Sequence, residues 1–136
     1  METLPPPLLW PALVSLGCAA LLTAIGAYVG RMRGRYRIAA PSISGAPEFE
    51  RAFRVHANTL ENTVALLPPL WVCALTLSPT GAGLIGAVWL AARVWYAISY
   101  IREPKRRGPA FLIAAFAWGV LFAGAIVGIF RPLLTT

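Results

Sequence analysis

The chain has 136 residues, of which 58% are hydrophobic and only 12% charged, and its mean hydropathy is +0.68. That is too apolar for a soluble domain and places it among multi-pass membrane proteins. A formal net charge of +7 invites a nucleic-acid reading, but ten of the twelve basic residues sit in two blocks that each follow an apolar run, so no nucleic-acid partner is expected.

Four apolar stretches can be marked, at about 8–30, 57–77, 81–101 and 109–130. Each is near the roughly 20 residues needed to cross about 30 Å of hydrocarbon. Short connections make consecutive spans antiparallel neighbours, which predicts an all-α, up-down four-helix bundle forming one domain over residues 1–136. Pro5, Pro6 and Pro7 read as a stiff extended lead-in, and Trp10 suits a membrane interface. The first stretch carries no ionisable residue and lacks the basic n-region of a secretory signal, so it is expected to be retained. Gly26 and Gly30, four apart, offer a small face for close helix contact.

Arg31, Arg33, Arg35, Arg37, Arg51 and Arg54 follow the first stretch; Arg102, Lys105, Arg106 and Arg107 follow the third. Both blocks fall on one side of the membrane, the cytoplasmic side by the positive-inside rule, with both termini opposite. Such a topology fits a bacterial inner membrane or the endoplasmic reticulum. Residues 31–46 form the longest predicted connection. Pro47, followed by Glu48 and Glu50, then suits a helix start, because proline has no N–H to leave unsatisfied and carboxylates favour the N-terminal dipole.

The second helix carries the chemistry. Arg51, Arg54, Asn58, Glu61 and Asn62 follow at helical spacing and form one polar stripe, while Ala52, Phe53, Val55, Leu60, Val64 and Leu67 off the stripe are apolar. An ionisable group held in lipid costs a few kcal/mol or more, so the stripe must face protein or a water-filled cavity. Pro68 and Pro69 are expected to kink this helix deeper in the membrane. Ser78 to Gly81 reads as a tight turn. In the third stretch Arg93, Tyr96 and Tyr100 share a face, with Trp89 one turn above. Arg93 and Glu61 enter to similar depth, so a pairing of the two, within or between subunits, is expected to make both charges tolerable. Gly124 and Gly128 give the fourth stretch a second small-residue spacing.

Cys18 and Cys73 lie in apolar runs without CxxC spacing and read as inert thiols. His56 lies two residues off the stripe and reads as a helix-contact group; with no second histidine, no metal site is expected. There is no Ser/His/Asp set, HExxH or phosphate-cradling loop. Arginines, one intramembrane carboxylate, an asparagine and two tyrosine hydroxyls instead converge near one interface. They suit a small molecule with carboxylates for the arginines and an amine for Glu61, beside an apolar groove for a lipid-like second substrate. Glutathione has that chemistry. The bland alternative is that the same groups only hold helices together.

The segment PEFERAFRVHANTLEN (Pro47 to Asn62) resembles the signature of the MAPEG family, membrane-associated proteins of eicosanoid and glutathione metabolism, in its ER-x-x-R-x-x-x-N-x-x-E core. YRIAAPSISGAPEFER before it and RVWYAISYIREPKRR after it resemble the family's leukotriene branch, and RVHANTLEN with RGPAF its microsomal glutathione transferase branch. The resemblance implies a homotrimer with glutathione bound between subunits at the cytoplasmic side, taking a lipophilic electrophile from the bilayer. It implies a glutathione S-transferase, with lipid hydroperoxide reduction as a further outlet; the alternative within the family is a non-catalytic lipid-binding or scaffold protein. The candidate glutathione-binding set is Arg33, Arg54, His56, Asn58, Glu61, Asn62, Arg93, Tyr96 and Tyr100. Arg107 takes the place of the arginine that stabilises the thiolate, and a one-residue loop shift would exchange it with Arg106. Asn62 stands where the leukotriene branch has a tyrosine. Gly108 and Phe111 stand where the prostaglandin branch has a serine and a tyrosine, so isomerase chemistry is not expected.

Overall fold

The structure is a computed structural model that describes residues 4–134, and helices are the only regular secondary structure among them. Four long helices, α1 (Leu9–Tyr36), α2 (Pro47–Thr76), α3 (Pro79–Arg102) and α4 (Gly108–Leu134), form the expected up-down bundle. A 3-10 turn at Pro6–Leu8 precedes α1 and another at Pro104–Arg107 joins α3 to α4. Of the proline lead-in, Pro5 is extended as expected, with φ −51° and ψ 133°, while Pro6 and Pro7 are wound into the turn, since proline's φ serves a 3-10 turn as well.

With these turns included, the segments Pro6–Tyr36, Pro79–Arg102 and Pro104–Leu133 are long and apolar enough to cross a membrane. The second expected span is not among them, because its polar stripe and two prolines lower its hydropathy. Its 30 residues still amount to about 45 Å of helix, and α2 packs against all three other helices.

Buried residues follow helical stripes. On α1 they are Pro11, Val14, Cys18, Ile25, Val29 and Met32. On α4 they are almost all small: Ala110, Ala114, Ala117, Leu121, Ala125 and Gly128. Lipid tails are as apolar as the core, so contact between such helices comes from close backbone approach rather than exclusion of water. Gly83 is the glycine to which the backbone of a neighbouring helix comes nearest. A Cβ there would run into Trp10 Cβ and would lie 3.0 Å from the Trp10 carbonyl carbon. Gly83→Val should therefore force α1 off α3 and cost about 1–3 kcal/mol, read as a lower thermal midpoint in detergent. Gly124 and Gly128 pack against Cys73 and Thr76 of α2, as their spacing suggests. Gly26 and Gly30 do not serve close contact, for a Cβ on Gly30 would meet nothing within 4 Å and one on Gly26 only the His56 ring.

Helix ends differ from expectation where the sequence signalled membrane exit. The arginines after Gly30 do not end α1, because leaving hydrocarbon does not stop a helix. It ends at Arg37, whose φ of 54° is left-handed. The Arg37 N–H donates to the Arg33 carbonyl, and the Ile38 N–H donates to the same carbonyl at 3.0 Å. The connection to α2 is thus ten residues, Arg37 to Ala46. At the other end of the bundle Ser78 is the N-cap of α3, its Oγ accepting from the Gly81 N–H at 3.1 Å.

Pro68 and Pro69 are carried inside a continuous α2. Pro69 cannot donate to the Ala65 carbonyl, four residues back, and the indole N–H of Trp118 on α4 donates to that carbonyl at 2.9 Å instead. A second polar bridge joins α1 and α2, Trp71 Nε1 donating to Ser15 Oγ at 3.0 Å while Ser15 Oγ donates to the Pro11 carbonyl at 2.9 Å.

Candidate functional site

The start of α2, the end of α3 and the start of α4 meet at one end of the bundle. They enclose a cavity of about 460 Å³ lined by Arg54, Asn58, Asn62, Arg93, Tyr96, Tyr100, Arg107 and Phe111. Three guanidinium groups line it and no carboxylate does, so it favours anions. A second cavity of about 370 Å³ lies on the other side of α2, lined by Ile43, Ser44, Glu50, Phe53, Arg54, Ala57, Asn58 and Glu61. Its charged lining is two carboxylates and one arginine, which suits a cation.

Arg54 and Asn58 line both cavities, and helix geometry explains why. At about 100° per residue, Asn58 lies some 40° from Arg54, Asn62 about 80° on that side and Glu61 about 20° on the other. The stripe is therefore wide enough to turn a corner. Asn62 looks toward α3, Glu61 looks outward, and the two residues between them belong to both faces.

Arg93 is 1% exposed. Its Nη2 donates to Thr59 Oγ1 at 3.0 Å, and its guanidinium lies 4.1 Å from the Tyr96 ring centroid. The expected pairing with Glu61 is not formed within the subunit, because Thr59, rather than Glu61, is the α2 residue that faces α3 at that level. Arg93 Nε is buried without a hydrogen-bond partner. Asn58 Nδ2 donates to the Tyr96 hydroxyl oxygen at 2.9 Å, which leaves the hydroxyl proton free to be donated elsewhere. Asn62 Nδ2 donates back to the Asn58 carbonyl at 2.7 Å.

Arg107 lies over the Tyr100 ring at 4.6 Å, and Tyr100 packs on Tyr96 with ring centroids 5.7 Å apart. These contacts link Arg93, Tyr96, Tyr100 and Arg107 along the α3 wall. The geometry separates the two adjacent arginines that the sequence left interchangeable. Arg107 lines the cationic cavity, while Arg106 Nε is ion-paired with Glu103 at 2.6 Å and faces a different cleft.

Two members of the candidate set line neither cavity. Arg33 donates from Nη1 to the Ser42 carbonyl at 2.8 Å and stacks over Phe49 at 4.8 Å, so it ties down the connection to α2. His56, about 200° around α2 from Arg54, lies against α1 near Gly26. Thr59 and Glu50 carry functions the sequence reading did not assign. Thr59 holds Arg93, and Glu50 Oε1 accepts from the Gly45 N–H at 3.0 Å on the rim of the second cavity. Glu50 was legible only as a helix-start charge. Thr59 had no signal beyond lying at Arg93's depth.

Residues 11–127 match the MAPEG family. The chain is 38% identical over 122 residues to an uncharacterized protein of Synechocystis sp., covering 90% of this chain and 89% of that one. It is 30% identical over 106 residues to microsomal glutathione S-transferase 2 of Bos taurus, covering 78% and 73%. Against leukotriene C4 synthase of Bos taurus it is 33% identical over 102 residues, covering 75% and 68%.

Proposed function

This chain belongs to the MAPEG family, and we propose that it is a membrane-bound glutathione S-transferase that joins the glutathione thiolate to a lipophilic electrophile. The observation that carries this reading is the pair of cavities of opposite preference meeting at Arg54 and Asn58. Glutathione is elongated, with an amine near one end, two carboxylates and a thiol. Glu61 and Glu50 suit its amine, Arg54 and Arg93 its carboxylates, and Arg107 its sulfur.

A thiol of ordinary pKa near 8.5 is only a few per cent ionised at neutral pH, and the thiolate is the nucleophile. Arg107 favours the charged form and the proton leaves to water. The sulfur then forms a C–S bond with the electrophilic carbon while the displaced electron pair passes to the leaving atom. Tyr96, whose hydroxyl proton is uncommitted, is placed to protonate that atom. The same thiolate would reduce a lipid hydroperoxide by attacking its O–O bond, which releases the alcohol and leaves a glutathione sulfenic acid that a second glutathione converts to the disulfide and water.

The homotrimer belongs to this proposal. Arg54 and Glu61 are exposed on the single subunit, although Glu61 lies 14 residues, about 21 Å, along α2 from Pro47. Charged groups at that depth require cover by protein, and a neighbouring copy would supply it. The basic connections would face the cytoplasm. Glutathione at about 100 times its Kd should stabilise the detergent-purified protein by about 2.7 kcal/mol, read as a raised thermal midpoint. Glu61→Gln should weaken binding about tenfold, as expected for a lost charge-assisted hydrogen bond, and leave unchanged the affinity of an analogue lacking the γ-glutamyl amine. Absence of any protection at millimolar glutathione would overturn the assignment.

A further inference from the structure

On the side of α3 away from the cationic cavity lies a third cleft, of about 640 Å³, lined by Trp95, Ile98, Ser99, Arg102, Glu103, Lys105, Arg106 and Pro109. It uses the opposite face of the helix: Trp95 and Ile98 are each two residues, about 200°, beyond Arg93 and Tyr96. Three cations and one carboxylate line it, and that carboxylate is already paired with Arg106. Arg102 and Lys105 are exposed and are in no ion pair among the described residues.

Below the cleft the same face continues as an exposed apolar stripe. Leu84, Val88, Ala91, Trp95, Ile98 and Arg102 follow at steps of four, three, four, three and four. All are exposed, the four large apolar side chains at 55%, 53%, 48% and 47% in that order. A positive-inside signal alone requires only that cations lie near the end of a span. Here the cations line a cleft that opens onto an apolar track at least three turns long, with a tryptophan between the two.

We propose that this cleft is a binding site for an anionic phospholipid. Arg102 and Lys105 receive the phosphate, Trp95 sits at the level of the glycerol backbone, and an acyl chain lies along Ile98, Ala91, Val88 and Leu84. A free phosphate would satisfy the cations and leave the stripe unused; a zwitterionic lipid would use the stripe but bring, beside its phosphate, an ammonium that cancels the phosphate charge in a cleft already rich in cations. The anionic lipid uses both. The site is independent of the glutathione reading, since it shares no residue with either glutathione cavity.

The test is native mass spectrometry of the purified protein with phosphatidylglycerol and phosphatidylcholine in competition. Wild type should retain phosphatidylglycerol several-fold in preference, and excess inorganic phosphate should not displace it. Arg102→Gln/Lys105→Gln should abolish the preference with glutathione affinity unchanged, while Arg102→Lys should retain it. Equal retention of the two lipids by wild type, or an undiminished preference in the double variant, would overturn the site. Complete displacement by phosphate would also overturn it, assigning the cleft to a soluble anion. Dissociation of the oligomer in the double variant would reassign the stripe to contact between copies.

Discussion

Wild type should develop an ultraviolet thiolate absorbance when glutathione is titrated in near neutral pH, and replacing Arg107 by alanine should remove it. Each pKa unit of thiolate stabilisation corresponds to about 1.4 kcal/mol. A shift of one to two units therefore sets a loss of about 10- to 100-fold in kcat/KM at neutral pH, recovered in part as pH rises and the unassisted thiol ionises. Arg106→Ala should change neither the absorbance nor the rate by more than about twofold, because Arg106 is paired with Glu103 away from the cavity. Tyr100 supports Arg107 through its ring rather than its hydroxyl. Tyr100→Phe should keep the thiolate, and Tyr100→Leu should shift its pKa upward with less effect on glutathione affinity. Glutathione bound with no thiolate in wild type would remove the transferase mechanism and favour the family's non-catalytic branch.

These expectations depend on side chains whose placement the sequence revealed unevenly. The bundle was legible because long apolar runs with short connections allow few arrangements, and because Arg54, Asn58 and Asn62 recur at the helical period. The division of the stripe was not legible. Spacing places Glu61 and Asn62 on one face, and only the position of α3 decides that one turns inward and the other outward. Arg93 was recognisable as a buried charge needing a partner, but a carboxylate is not the sole solution to that need. A threonine hydroxyl and two aromatic faces serve instead, and neutral groups carry no charge pattern to read. Arg33, at the end of α1, and His56, within the α2 motif, enter the candidate set only through the family resemblance. Their side chains are held by the α2 connection and against α1, away from both cavities.

The solution adopted by Arg93 also separates function from stability. A charge in the interior is costly unless well paired, and Arg93 has one hydrogen-bonding partner, an unpartnered Nε and no carboxylate. If it were retained to hold α2 against α3, removing it would weaken the bundle. Arg93→Met alone is not a clean test, since it leaves the buried Thr59 hydroxyl, 0% exposed, without its donor, at a cost of about 1–3 kcal/mol. Arg93→Met/Thr59→Val removes both partners, and such paired apolar replacements are close to neutral or stabilising. The double variant should keep the thermal midpoint of the ligand-free protein within a few degrees of wild type, or raise it. Its affinity for glutathione should fall about 10- to 100-fold, the effect of losing a charge-assisted hydrogen bond to a carboxylate, measured by calorimetric titration. A large fall in midpoint with affinity intact would identify Arg93 as a helix clamp. The reverse pattern means that the cavity retains a poorly paired cation because an anionic ligand completes its pairing.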